Sequence, residues 1–234
     1  MRAASGRTFE WLEQAKRGRG RRGRGFTLLE TMMALVIIGV GVLAFVDAQA
    51  AFTASNNWSS RAATGMLLAN EVREFSRRLH RHDPVTGLSL TTVGGGGSTL
   101  SGWGREPGET AVDDIDDLDD LDGTTFGEAG AFAGPIDAFG DVVPDVNVDG
   151  TVRMNGGAII ALRGWSQRVT VEKVSLYDFN SVLANSAVQP LTSQMSAADV
   201  DEFPVRVTVV VEYTDASTGE ATEITRATWI VPVD

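Results

Sequence analysis

Seven carboxylates crowd the ten-residue run DDIDDLDDLD: Asp113, Asp114, Asp116, Asp117, Asp119, Asp120 and Asp122. The chemistry open to such a run is the holding of a hard cation, which takes six to eight oxygen ligands. Mutual repulsion argues first for a solvated acidic loop, and a cation site is the second reading. Ile115, Leu118 and Leu121 recur at intervals of three, a spacing compatible with one or two helical turns. A second cation candidate is DVNVDG, residues 145–150, whose Asp145, Asn147 and Asp149 follow the opening of a calcium loop. The bidentate glutamate that closes such a loop is missing, because Gly156 stands in its place. The same residues also read as a metal-free hairpin, with Val146, Val148 and Val152 alternating about an Asp149-Gly150 turn. No cofactor is expected apart from this calcium candidate.

Other reactive constellations are missing or misplaced. His80 and His82 fall at an expected helix end, where a spacing of two makes them diverge and serve poorly as a metal pair. They would be solvated there or would favour the negative end of the helix dipole. No G-x-S-x-G or H-E-x-x-H occurs, and no cysteine is present for thiol catalysis, disulfides or thiolate-ligated metal. GRGRRG, residues 18–23, satisfies G-x-G-x-x-G formally, but it follows no strand and lies in an arginine tract. NWS at 57–59 fits a glycosylation sequon in a setting that reads as helix. No enzyme is expected.

One carboxylate is out of place. Glu30 is the only charge in the 21 residues from Phe26 to Val46, a run long enough to span roughly 31 Å as a helix. Eight Arg/Lys against Glu10 and Glu13 give residues 1–25 a charge of +6, whereas the remainder carries −17 of the net −11. Basic residues before a span stay cytoplasmic, so the acidic body is expected to be translocated. A charge within the span costs about 2.5–3.5 kcal/mol and needs a partner, yet no Lys, Arg or His lies within the run. A local reading is that Thr27 and Glu30 form a capping box at a helix start, with Glu30 covering a free amide of the first turn.

RGFTLLETMMALVIIGVGVLA resembles the prepilin motif of type IV pilins and type II secretion pseudopilins, closer to minor, PilV-like or GspI-like members than to major pilins. The resemblance implies a basic leader, residues 1–25, cut after Gly25 by a prepilin peptidase, with N-methylation of Phe26. It implies that Glu30 neutralises the N-terminal amine of a neighbouring pilin or pseudopilin subunit during assembly. It implies as further partners an inner-membrane assembly platform and the lipid bilayer. Location would follow: a single-pass protein of the bacterial inner membrane with a cytoplasmic N-terminus, then a pilus or pseudopilus. Two departures set this chain apart, a long leader and the impossibility of the disulfide that closes a C-terminal loop in many pilins.

The elements that must carry these residues are legible in outline. Trp58, Ala62, Met66, Ala69, Val72, Phe75 and Leu79 form one apolar stripe at helical period, and no proline intervenes before Pro84. The spacing therefore predicts a continuous helix over 26–82, its first part (26–46) transmembrane. Residues 83–157 read as a Gly/Asp-rich connecting region. In 158–234, AIIAL (158–162), RVTVEKV (168–174), VRVTVVVEYT (205–214) and ITRATWIVPV (224–233) read as strands, the last two pairing across DASTGEAT. The expected fold is α+β, a long helix on an antiparallel sheet, as the pilin resemblance also implies.

The competing reading is an unprocessed single-span protein whose basic cytoplasmic tail binds anionic lipid or nucleic acid, with the acidic domain outside. A charge of −17 on the body argues against nucleic acid as its direct partner. A bitopic anchor holding an acidic receptor domain is a third possibility, and it would tolerate loss of Glu30.

Overall fold

The computed structural model describes residues 25–93 and 97–233. The basic cluster at 1–24, GRGRRG included, lies outside the described residues. The chain divides into two compact units, residues 1–55 and 56–234.

In the first unit the chain enters one helix, α1, which runs over Leu28–Ser76 and so continues into the second unit. Every side chain from Leu28 to Ser60 is exposed. The helix is long and apolar enough to cross a membrane, as expected of a transmembrane anchor.

In the second unit the last turns of α1 bury Gly65, Leu68, Ala69, Val72, Phe75 and Ser76, a face at i, i+3 and i+4 spacing. The stripe read from sequence shares Ala69, Val72 and Phe75 with this face. Trp58 and Met66 instead stand 54% and 62% exposed, and Leu68 takes the central position. The helix stops at Ser76, not at residue 82. Arg78 and Leu79 donate their amides three residues back, to Phe75 and Ser76, which tightens the turn. The chain beyond is captured elsewhere: the His80 carbonyl accepts from Leu118 N at 2.8 Å, and His80 bridges Asp117 in parallel.

Eight strands follow among the described residues. β1 (Ser89–Val93) and β2 (Gly97–Ser101) form an antiparallel ribbon in the stretch expected to be irregular. β3 (Thr125–Gly127) comes next, then the two-residue strands β4 (Met154–Asn155) and β5 (Ala158–Ile159), paired with each other. β6 (Trp165–Lys173), β7 (Val205–Thr214) and β8 (Ala221–Val231) are the long ones. They form a four-stranded antiparallel sheet in the order β3-β6-β7-β8. β7 and β8 pair as a hairpin, as their sequences predict. AIIAL contributes only β5 and does not join the sheet. The fold is α+β with a pilin-like arrangement of one long helix and antiparallel sheets.

Alternation in β6 and β7 sends Val169, Val171, Val205, Val207, Val209 and Val211 into a core shared with Leu68, Val72 and Phe126. The opposite face is polar, and its charges are paired across strands, with Arg168 on Glu212 and Arg206 on Glu172, both at 2.7 Å. Gly127 closes β3 at φ 100°, and a Cβ there would be driven onto the Trp165 carbonyl oxygen. Gly127→Ala is therefore expected to cost at least ~3 kcal/mol, since left-handed strain alone costs about 1–3 kcal/mol. Urea denaturation checks it, and an unchanged midpoint would show that the β3 edge yields freely.

The acidic run is the main departure from expectation. Ile115, Leu118 and Leu121 all enter the core, with 5%, 1% and 0% exposure. Leu118 and Leu121 begin and end the second of two short 3-10 turns, Val112–Asp114 and Asp119–Leu121, and at three residues per turn they face one way. Ile115 follows the first turn in an extended conformation. Asp117, Asp119 and Asp120 are buried with them, whereas Asp113, Asp114, Asp116 and Asp122 stay exposed. The run is no solvated loop.

Candidate functional site

Gly25, Phe26 and Thr27 precede the first turn of α1. Thr27 is the residue that caps the helix. Its hydroxyl accepts from Glu30 N at 3.3 Å, and its carbonyl accepts from Thr31 N at 3.1 Å. That is half of a capping box. The returning half, a Glu30 carboxylate bound to the Thr27 amide, is not formed, and among the described residues the Glu30 carboxylate has no hydrogen-bond or ionic partner. Phe26 is 78% exposed, and nothing lies within 4 Å of the position a Cβ would take at Gly25. Gly25 and Phe26 thus stand about one turn from a carboxylate that has no partner among the described residues, at the exposed apolar start of α1.

Residues 20–46, which include all three of these positions, match the family model of the prokaryotic N-terminal methylation motif. The chain carries the prepilin signature of type IV pilins and pseudopilins. No curated protein and no solved structure matches it.

Elsewhere in this pilin-like chain, DVNVDG forms a turn. Val146 bridges Val152, Asn147 N donates to Thr151 O at 2.8 Å, and Asp149 Oδ1 accepts from the Thr151 amide and hydroxyl. Asp145 accepts from Arg153 at 2.9 Å and faces Arg163 at 3.5 Å. Asn147 donates its side-chain amide to Thr151 Oγ1. Asp149 Oδ1 is engaged within the turn and Asp145 is answered by arginine, as a hairpin closed on itself would have them.

The buried acidic run brings together residues that the pattern of charges did not reveal. Asp117 Oδ1 accepts from Asp120 N at 3.0 Å, and Asp120 Oδ2 accepts from the amides of Asp116 and Asp117. Asp122 accepts from Val171 N and from the Trp103 indole, which fixes the run to β6. His82 is neither helical nor solvated. Its side chain is 7% exposed, with Nδ1 3.1 Å from Asp119 Oδ2. Burial, with Arg81 beside it, pushes its pKa down to about 4, so at neutral pH the uncharged ring donates a hydrogen bond to the carboxylate. The ion-pair geometry alone would suggest the opposite shift; desolvation of a ring this deeply enclosed outweighs it.

Lys173, at the end of β6, is also fully buried. Its ammonium donates to the carbonyls of Asn185 and Val200 and lies 5.3 Å from the Phe203 ring centre, tying down the 174–204 segment. Burial lowers its pKa to about 8 from an ordinary 10.5. Between these values the unfolded chain holds a proton that the folded chain has released, so stability rises with pH across the window. The wild type is expected to gain up to ~3 kcal/mol relative to Lys173→Met between pH 8 and 10.5. Parallel melts at several pH values check this, and coincident pH profiles would refute it.

The sequence places His82 at a helix end, solvated or on the helix dipole, because nothing local shows that α1 stops six residues earlier; Lys173 goes unmarked because one lysine in a strand carries no pattern. Glu106 and Glu109, in REPGE, drew no attention because nothing in their spacing shows that they meet Asp120.

Proposed function

We propose that the chain is a minor pilin or pseudopilin, a structural subunit of a type IV pilus or a type II secretion pseudopilus. Prepilin peptidase cuts after Gly25, Phe26 becomes the N-methylated terminus, and the subunit leaves the inner membrane by packing its helix against those of other subunits. The observation that carries the reading is the conjunction at the start of α1: an accessible Gly25-Phe26 bond, a matching methylation motif, and Glu30 without an intramolecular partner among the described residues. An amine from a neighbouring subunit would supply the missing charge, and the two ions would meet in a low-dielectric helix bundle where each alone is costly. No catalytic role is assigned. The pilin-type motif indicates a structural subunit.

The test is intact mass and N-terminal sequencing of the protein from its native membranes. A chain beginning at N-methylated Phe26 is the expected result. A chain that keeps residues 1–25, in a host with active prepilin peptidase, would overturn the reading and favour the single-span protein with a basic tail.

A further inference from the structure

The acidic run and the segment before it bring four carboxylates close to that of the buried Asp120. Glu106, Glu109 and Asp120 each offer an oxygen within 4.8 Å of the other two, and so do Asp116, Asp117 and Asp120. Asp120 is common to both sets and is 1% exposed. Oxygens facing each other across a calcium ion, each about 2.4 Å from it, are separated by ~4.8 Å. Oxygens no farther apart than this can be reached by one such ion.

Spacing alone would not make a site, because acidic residues cluster for other reasons. The independent observation is an unsatisfied one. Asp120 Oδ1 is sealed from solvent and has no hydrogen-bond partner, and the same holds for Glu106 Oε2. A buried acceptor left empty costs about 1–3 kcal/mol, and more when charged, so native structures rarely leave one. Counter-charge is lacking too. Arginines answer Asp145, Glu172 and Glu212, yet among the described residues no Arg or Lys forms an ion pair with any of these five.

We propose that this loop binds a divalent cation of the calcium class at Asp120, with Glu106 and Glu109 as one pair of further ligands and Asp116 and Asp117 as another. The site takes oxygen donors only, mixes buried and exposed carboxylates, and has the irregular ligand set that calcium accepts and magnesium resists. The ion would tie the end of β2's following segment to the 3-10 turns that carry Leu118 and Leu121 into the core, so its binding energy becomes folding energy of the second unit. The proposal does not depend on filament assembly.

The experiment uses the full-length chain in detergent, stripped with chelator and titrated with calcium chloride by calorimetry and thermal melts. The wild type is expected to gain about 5 °C or more when calcium exceeds Kd a hundredfold. Asp120→Asn is expected to lose this response while melting no lower than chelated wild type at pH 8, because the substitution removes a buried, unpaired charge. Should Asp120→Asn fail to fold, Asp116→Asn replaces an exposed side chain and is expected to weaken calcium binding at least tenfold with an unchanged metal-free melt. No heat and no shift in the wild type at 10 mM calcium would overturn the proposal. So would a calcium response that survives in both variants, or one lost instead in Asp145→Asn, which would place the ion in the hairpin.

Discussion

Glu30→Ala is expected to yield a protein that inserts in the membrane and is cleaved after Gly25, but that falls at least tenfold in assembled filament. Taken singly, the substitution helps the monomer, since it removes a charge that costs about 2.5–3.5 kcal/mol in a span. Nothing within the described chain compensates for its loss, because the carboxylate bonds to no described residue and the Thr27 cap needs only the Glu30 amide. The benefit to the monomer and the defect in assembly therefore have one cause. In the proposed filament a partner amine left alone would meet the full penalty of an uncompensated buried charge, which is about 3–5 kcal/mol when one member of a buried pair is removed. Glu30→Gln keeps the shape and a hydrogen-bond acceptor, so it should fall between. The measurement is the ratio of the protein in sheared filaments to that in membranes, for each variant produced at equal levels. Wild-type incorporation of Glu30→Ala would leave the carboxylate without an assembly role and would favour a simple membrane anchor.

The largest expected loss of stability is at Gln167. Its side chain is fully buried in β6 and makes three hydrogen bonds: Oε1 accepts from Ile136 N at 2.7 Å, and Nε2 donates to Leu68 O at 2.8 Å and Ile136 O at 3.0 Å. One amide thus joins the sheet, the helix and the 134–142 segment, where Ile136 bridges Val142 but the bonds of that bridge fall on Pro135 and Asp137, leaving the Ile136 N–H and C=O to Gln167. Gln167→Leu keeps the volume and removes every bond, leaving a buried amide and two carbonyls to find substitutes. At about 1–3 kcal/mol for each group left unpaired, a loss of at least ~3 kcal/mol is expected, or roughly 6–12 °C in melting temperature. The neighbouring residue is the control. Arg168 is half exposed and bonds only to Glu212 across the strands, so Arg168→Ala should cost no more than about 1 kcal/mol. Equal effects at the two positions would mean that the polar link through Gln167 is dispensable.

Both predictions concern residues that read very differently in the sequence. Glu30 announces itself, because a single carboxylate in 21 apolar residues breaks a uniform pattern. Gln167 does not, since a glutamine between Ser166 and Arg168 looks like the polar phase of an alternating strand. Its inward direction follows from pairing register: Gln167 stands opposite Val211 in β7 and on the same face as Val169. The long strands were legible because β-branched alternation is a local signal. The β1–β2 ribbon was not, because a run of glycines hides a short pairing whose bonds are backbone to backbone.

What the amino-acid order determined by itself is therefore the ends of the molecule's logic: an anchor helix with its processing motif, and a C-terminal antiparallel sheet. These follow from composition and period over short windows, which is where hydrophobic burial and backbone geometry act directly. Tertiary structure alone decided where α1 ends, that His82 leaves the helix to meet Asp119, and that Asp117, Asp119 and Asp120 are buried rather than solvated. The reason is that burial is a collective outcome. Ile115, Leu118 and Leu121 gain more by entering the core than their acidic neighbours lose by following them, and that balance depends on residues far along the chain, from Leu68 to Val171. No local pattern of charge records it.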